Sequence, residues 1–345
     1  MEGLNNMTKK KVTITQVAQY AGVSVGTVSN YLNGTVSVSP EKAERVQQAV
    51  NDLEYTPDAL ASSLRRKSSK TIYVLTPNLR NAFYTNIISA LMECAYKAGY
   101  SVNISGYEYS DERERKQLRI LESCKQGSSV IIFNGYNDET EIRRLVKKDM
   151  HVILADRQTL VKNTSSVNYE NYQIVFDLVR LLKEKGYRTI GLMAELTELE
   201  NIRKRRDSFI EAMHYYGFEN PEHYVFADKS LSLDKLRNSY LYMKWLLENN
   251  DTKELPKAWI ATSDYLAIGM MRAINEKGYS IPGDFGIVGF DNLDLSGYIN
   301  PRLTTAEQDQ ELFGKKLWEV VKKMKQTGKT EQVILPQKII IRESC

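Results

Sequence analysis

The sequence predicts two folds in one chain: a small all-α head built on a helix-turn-helix, then a longer α/β region arranged as two similar lobes. Three observations predict this. Helix-capping signals crowd the stretch from Thr13 to Leu53, short apolar runs alternate with helical patterns from Thr71 onward, and one helix ending recurs three times in that second region. At about 150 residues per domain, 345 residues make about two domains, with core enough to need no disulfide or metal staple.

In the head, Thr13-Ile-Thr-Gln16 has capping-box spacing, so a helix starts there with Val17, Ala18 and Ala21 inward. Gly22 offers its left-handed stop. Ser24 caps a second helix with Val28 and Leu32 inward, ended by Asn33-Gly34. Ser39-Pro40-Glu41 is a cap, a first-turn proline and a dipole-matched acid, opening a third helix on Ala43, Val46, Val50 and Leu53. That helix ends before Pro57.

Beyond Thr71, Ile72–Leu75, Val130–Phe133, Val152–Leu154, Ile190–Leu192, Trp259–Ala261 and Ile287–Phe290 read as strands of β-α-β units. Lys97-Ala-Gly99-Tyr100, Lys185-Gly186-Tyr187 and Lys277-Gly278-Tyr279 each supply a cation, a helix stop and an aromatic leading to the next strand. The strands are too many for one sheet, and polar crossings near Gln158–Ser166 and Leu293–Thr305 divide them into two lobes. Asp156, Ser263 and Asp291 each follow an apolar run, where open α/β sheets bind ligands.

The charge is uneven. Residues 1–70 hold 9 Lys+Arg against 6 Asp+Glu, leaving 38 against 37 for the remainder. The excess lies in Lys9-Lys10-Lys11 and in Arg65-Arg66-Lys67 with Lys70, two clusters that could flank a phosphate backbone. No apolar run approaches the roughly 18 residues of a membrane span, and the start carries no export signal, which points to the cytoplasm. Cys94, Cys124 and Cys345 form no CxxC pair, and His151, His214 and His223 have no metal-ligand spacing. No cofactor or metal is expected.

The run from Val12 to Gly34, with Ala-Gly-Val-Ser, Thr-Val-Ser and Leu-Asn-Gly, resembles the DNA-binding headpiece of the lactose-repressor (LacI/GalR) family of bacterial transcription regulators. The resemblance continues through Asn81-Ala-Phe-Tyr84, Leu154-Ala-Asp-Arg157, Arg205-Arg-Asp-Ser-Phe209, Thr262-Ser-Asp264, Ile281-Pro-Gly-Asp284, Gly289-Phe-Asp-Asn292, Leu303-Thr-Thr305 and Ile341-Arg-Glu343. It implies a headpiece over 1–57, a hinge helix and linker over 58–70, and over 71–345 a two-lobed, periplasmic-binding-protein-like domain for effector binding and dimerisation. The implied function is that of a sequence-specific regulator, a repressor in type. A homodimer would bind near-palindromic operator DNA under control of a small effector, a sugar or sugar derivative. The alternative is a carbohydrate-active enzyme or sugar-binding protein of the same two-lobed fold. No phosphate loop, GxSxG elbow or dinucleotide fingerprint supports the enzyme.

By the same resemblance, Val25, Gly26 and Asn30 read bases, while Ser24, Thr27, Ser29 and Asn33 hold phosphates. Thr13 joins this set. Leu64 matches the minor-groove wedge of the hinge helix, with Arg65 and Arg66 beside phosphates. Phe83, Tyr84, Asp156, Arg205, Ser263 and Asp291 form the implied effector site: acids for hydroxyls, a guanidinium fork, rings for an apolar sugar face. The sequence departs from the family's usual residues at Asn30 (arginine), Ala82 (proline), Ser208 (glycine) and Ser263 (asparagine), and at Gly26, where a longer side chain is usual. The family's second-lobe aromatic has no assigned counterpart.

Overall fold

The computed structural model describes residues 12–33, 37–55, 70–124, 127–135, 139–197 and 199–345. The chain divides into two compact units, Met1–Ser68 and Ser69–Cys345.

The first unit has α1 (Ile14–Ala21), α2 (Val25–Asn33) and α3 (Pro40–Asp52). Thr13 and Gln16 form the complete capping box, and Gly22 takes the left-handed conformation at φ 62°. Ser24 Oγ accepts from the Thr27 amide at 3.1 Å, so α2 begins where its hydroxyl predicts. Ser39 stands before α3 without a side-chain hydrogen bond, leaving Pro40 as that helix's start signal. Val17, Val28, Val46 and Ala49 form the core, with Val25, Leu32, Val50 and Leu53 packed at its margin. Tyr31 Oη donates to Gln47 Oε1 at 2.6 Å, tying α2 to α3. The hinge segment and its Leu64, Arg65 and Arg66 lie outside the described residues, as do Lys9–Lys11 and the side chain of Asn33.

The second unit begins with β1 (Thr71–Thr76), α4 (Ala82–Lys97), β2 (Ser101–Gly106), α5 (Asp111–Leu121), β3 (Ser129–Phe133), α6 (Thr140–Lys147), β4 (His151–Ala155) and β5 (Ser165–Tyr169). It continues with α7 (Tyr172–Glu184), β6 (Ile190–Glu195), α8 (Glu200–Tyr215), β7 (Val225–Asp228), α9 (Lys235–Asn249), β8 (Ala258–Ala261), α10 (Asp264–Glu276), β9 (Gly286–Asp291) and β10 (Thr304–Glu307). The chain ends with α11 (Gln310–Thr327), β11 (Gln332–Leu335) and β12 (Lys338–Ile340). One sheet has the order β11-β5-β4-β3-β1-β2, all parallel, and the other β12-β10-β9-β8-β6-β7, parallel except for β12. In β1, Ile72 and Val74 join one core layer while Tyr73 and Leu75 join the layer on the opposite face, the alternation expected of a doubly covered strand.

The six strand runs read from sequence are all strands. The crossings between lobes lie elsewhere than expected. Gln158–Ser166 leads into β5 of the first sheet, and Leu293–Thr305 leads into β10 of the second. The chain changes lobe at Glu170–Asn171, at Gln308–Asp309 and between Leu335 and Lys338. Polar side chains misled the reading, because Ser165, Ser166 and Asn168 are buried in β5 by hydrogen bonding rather than by apolar contact. Gly99, Gly186 and Gly278 all have φ between 70° and 90°, so the repeated Lys-Gly-Tyr ending is a repeated left-handed helix stop.

Candidate functional site

On the headpiece, Ser24 and Gly26 are exposed, and Val25, Thr27, Ser29 and Asn30 are half-buried along the start of α2. The Ser24 and Thr27 hydroxyls lie 2.9 Å apart and fix the first turn of that helix. Val25 also packs against the core, so its side chain is divided between packing and surface. Thr13 is occupied by the capping box: its amide donates to Gln16 Oε1 at 2.8 Å.

In the second unit, the carboxyl ends of both sheets line one cavity. All six expected residues, Phe83, Tyr84, Asp156, Arg205, Ser263 and Asp291, line it. Two of them, Asp156 and Asp291, do so at unusual backbone positions, as does a further lining residue, Asn134. Asn134 after β3, Asp156 after β4 and Asp291 at the end of β9 have φ of 40°, 54° and 110°. Such strain on non-glycine residues gathers at functional sites.

Asp156 Oδ2 accepts from Asn134 Nδ2 at 3.3 Å and from Asn201 Nδ2 at 2.6 Å, and the same Asn134 amide donates to Tyr84 Oη at 2.9 Å. Asn201 lies on α8, so this chain of bonds joins the lobes. Burial pushes Asp156 up to about 6, against the opposing pull of Arg205, Asn134 and Asn201. Phe83 belongs to the first-lobe core as well as the cavity wall, packed edge-on against Tyr84 at 5.3 Å.

Arg205 is buried on α8. Its Nε donates to Asn171 Oδ1 at 2.9 Å, Nη1 to the Thr262 carbonyl at 2.7 Å and Nη2 to Gln308 Oε1 at 3.0 Å. Its guanidinium lies 4.2 Å from the Phe290 ring centre. Asn171 and Gln308 sit at two lobe crossings, and Gln337 of the third donates to the Glu170 carbonyl at 2.7 Å. Arg205 therefore ties the cavity wall to the crossings. Ser263 has a structural task too, since its Oγ accepts from the Leu266 amide at 3.4 Å and caps α10. Burial and the nearby Asp264 raise Asp291 well above the ordinary carboxylate range, while Arg205 and Lys235 pull against them.

The cavity also holds residues that the sequence reading missed. Asn134 and Glu195 stand at strand ends and satisfy the same rule that found Asp156, although no acid or amide was assigned there. Gln308 and Lys235 approach from a crossing and from a helix start, where no periodic signal marks them. Buried Asn134 Oδ1 and Gln308 Nε2 have no hydrogen-bond partner among the described residues, which leaves an acceptor and a donor at the cavity. Its rings, Phe83, Tyr84 and Tyr109, all come from the first lobe.

Residues 13–58 match the family described as bacterial regulatory proteins, lacI family, and residues 179–345 match a periplasmic binding protein-like domain. Catabolite control protein A of Priestia megaterium is 28% identical over 344 residues, spanning 96% of this chain and 99% of that protein. The matched domains are a lacI-family DNA-binding head and a periplasmic-binding-protein-like body. The crystal structure of the Lac repressor dimer bound to operator and the anti-inducer ONPF superposes with TM-score 0.80 at 25% identity, over 97% of this chain and 99% of that one. A LacI-family regulator from Weissella paramesenteroides, a CcpA with bound glucose, matches with TM-score 0.68 at 22% identity over 79% and 97% of the two chains. The chain is thus a transcriptional regulator of repressor-like type, with a helix-turn-helix head and a periplasmic-binding-protein-like domain. Among its described residues no helix is long and apolar enough to cross a membrane.

Proposed function

We propose that the protein is a homodimeric repressor whose affinity for a near-palindromic operator is set by a sugar or sugar derivative held between its lobes. The observation that carries this reading is the convergence of the six expected residues on one cavity at the carboxyl ends of both sheets. Asp156 and Asp291 take hydroxyls, Arg205 and Ser263 give donors, and Phe83 or Tyr84 covers an apolar ring face. The glucose in the Weissella paramesenteroides regulator and the operator under the Lac repressor support the two ligand classes.

At the DNA, Val25, Gly26 and Asn30 read bases from the start of α2, with asparagine suited to adenine. Ser24, Thr27, Ser29 and Asn33 hold phosphates, and Thr13 fixes the end of α1 that approaches the backbone. The hinge over 58–70 joins head to sensor, with Leu64 as a minor-groove wedge and Arg65 on phosphate. The protein acts in the cytoplasm and binds its effector without transforming it, as fits relatives that are regulators.

A mobility-shift titration on the labelled upstream DNA tests the reading. Sugars and sugar derivatives are added to the parent and to Asp291→Asn. Operator binding by both, with the effector response lost only in the variant, is expected. An equal response in both removes the cavity from the mechanism.

A further inference from the structure

Resting on that reading of the cavity, we infer that the effector is an acid, a sugar carrying a carboxylate or phosphate group, and that Lys235 receives the anionic group. Lys235 begins α9, and its ammonium meets Glu195 Oε1 at 2.5 Å, with only 13% and 3% of the two side chains exposed. A buried ion pair is a poor stabiliser compared with apolar packing, so its presence in a cavity wall asks for another use.

The two partners differ in what they can still offer. Both Glu195 oxygens are occupied, Oε1 by Lys235 and Oε2 by the Thr262 hydroxyl at 2.5 Å. The Lys235 ammonium has three N–H groups, of which Glu195 takes one. The pair is therefore a cation held in place by its own counter-ion, with Glu195 its one ion-pair partner among the described residues. A ligand amine would find Glu195 already satisfied.

A second observation points to the same chemistry. Lys235 also lines an outer, more open cavity that shares Asn81, Tyr109 and Ser232 with the inner one. Arg80 lines that outer cavity from the first lobe and forms no ion pair among the described residues. Two cations, one from each lobe, thus border the passage where the inner cavity opens. Of the acids there, Asp234 is engaged as the cap of α9, accepting from the Arg237 amide at 3.4 Å. Asp234 keeps its charge while capping, and Glu108 is the other acid on that wall. A polyhydroxyl ring seated against Asp156, Arg205 and Asp291 would place an exocyclic acid between Lys235 and Arg80.

The test is isothermal titration of the full chain with matched probes: glucose, glucuronate and glucose 6-phosphate, then galactose, galacturonate and galactose 6-phosphate, with inorganic phosphate as the bare anion. We expect at least one acid to bind tenfold or more tighter than its neutral partner. Lys235→Met with Glu195→Gln removes both charges together, so no buried charge is orphaned, and should erase that preference. Arg80→Ala, at an exposed position, should weaken the acid several-fold and leave any neutral sugar unchanged. A carboxylate or a phosphate response identifies the anion. Neutral sugars binding as tightly as acids, an acid preference that survives the double variant, or no binding by any acid overturns the inference. If a neutral sugar alone shifts operator affinity in the same samples, the repressor reading stands and the acid effector falls; if no probe affects DNA binding while acids bind, the cavity is an acid site outside the proposed switch.

Discussion

Asp156 carries its carboxyl in a buried bond chain between lobes, so its proton is part of the fold's stability. Its ordinary value of 3.8 is raised to about 6. The folded state then binds a proton more tightly than the unfolded one, so this group's contribution is complete at low pH and is lost as pH rises toward about 6. A shift of that size corresponds to roughly 3 kcal/mol. Comparing urea midpoints of parent and Asp156→Asn at pH 4 and pH 7 should show the parent losing about that much relative to the variant; a pH-independent difference would refute it. Arg205 calls for a different expectation. Because its guanidinium holds Asn171, Thr262 and Gln308, Arg205→Ala should cost about 3 kcal/mol or more of folding stability as well as effector response. Asp291→Asn is the cleaner probe, with an expected tenfold or greater loss of effector affinity, about 1.4 kcal/mol, by calorimetry.

At the scale of elements, two helix contacts depend on missing side chains. A Cβ on Gly314 of α11 would collide with the Ile87 carbonyl on α4, and one on Gly269 of α10 with the Leu236 carbonyl on α9. Backbone cannot rotate aside, so Gly314→Ala or Gly269→Ala should lower stability by about 1–3 kcal/mol. The Gly269 change should also displace the start of α9 and with it Lys235, so ligand affinity falls more than in Gly314→Ala; equal affinities in calorimetry would argue against that link. Both the strands with apolar runs and the helix stops were legible from sequence because each signal is local. β5 was not, since its Ser166 hydroxyl is satisfied by Gln332, far along the chain. In the cavity, Asp156, Ser263 and Asp291 were legible from their place after strands. Lys235 and Tyr109 were not, as a helix start and a turn give no hint of which cavity they will face.

For the whole molecule, the division at Ser68 and Ser69 predicts separable functions. A fragment beginning at Ser69 should bind effector in calorimetry with the parent's affinity and show no mobility shift with operator. Loss of effector binding in that fragment would mean that the head takes part in the sensor. In the intact protein, Leu64→Ala should lose specific affinity and DNA bending while the melting temperature of the second unit stays put. A fall in that temperature would make Leu64 a packing residue instead. Operator affinity should drop steeply with salt, because phosphate contacts release counterions.

The three lobe crossings also set an order of completion during synthesis. The first lobe's core needs Phe313, Leu317 and Trp318 from α11, and its sheet needs β11 ending at Leu335. The head, by contrast, has all its described core residues once Tyr55 has left the ribosome. On every nascent chain the three head helices can therefore mature long before the first lobe. A message broken between the codons of Tyr55 and Leu335 would release a finished head joined to an unfinished second unit, and under the proposed function that product would find DNA sites without answering a ligand.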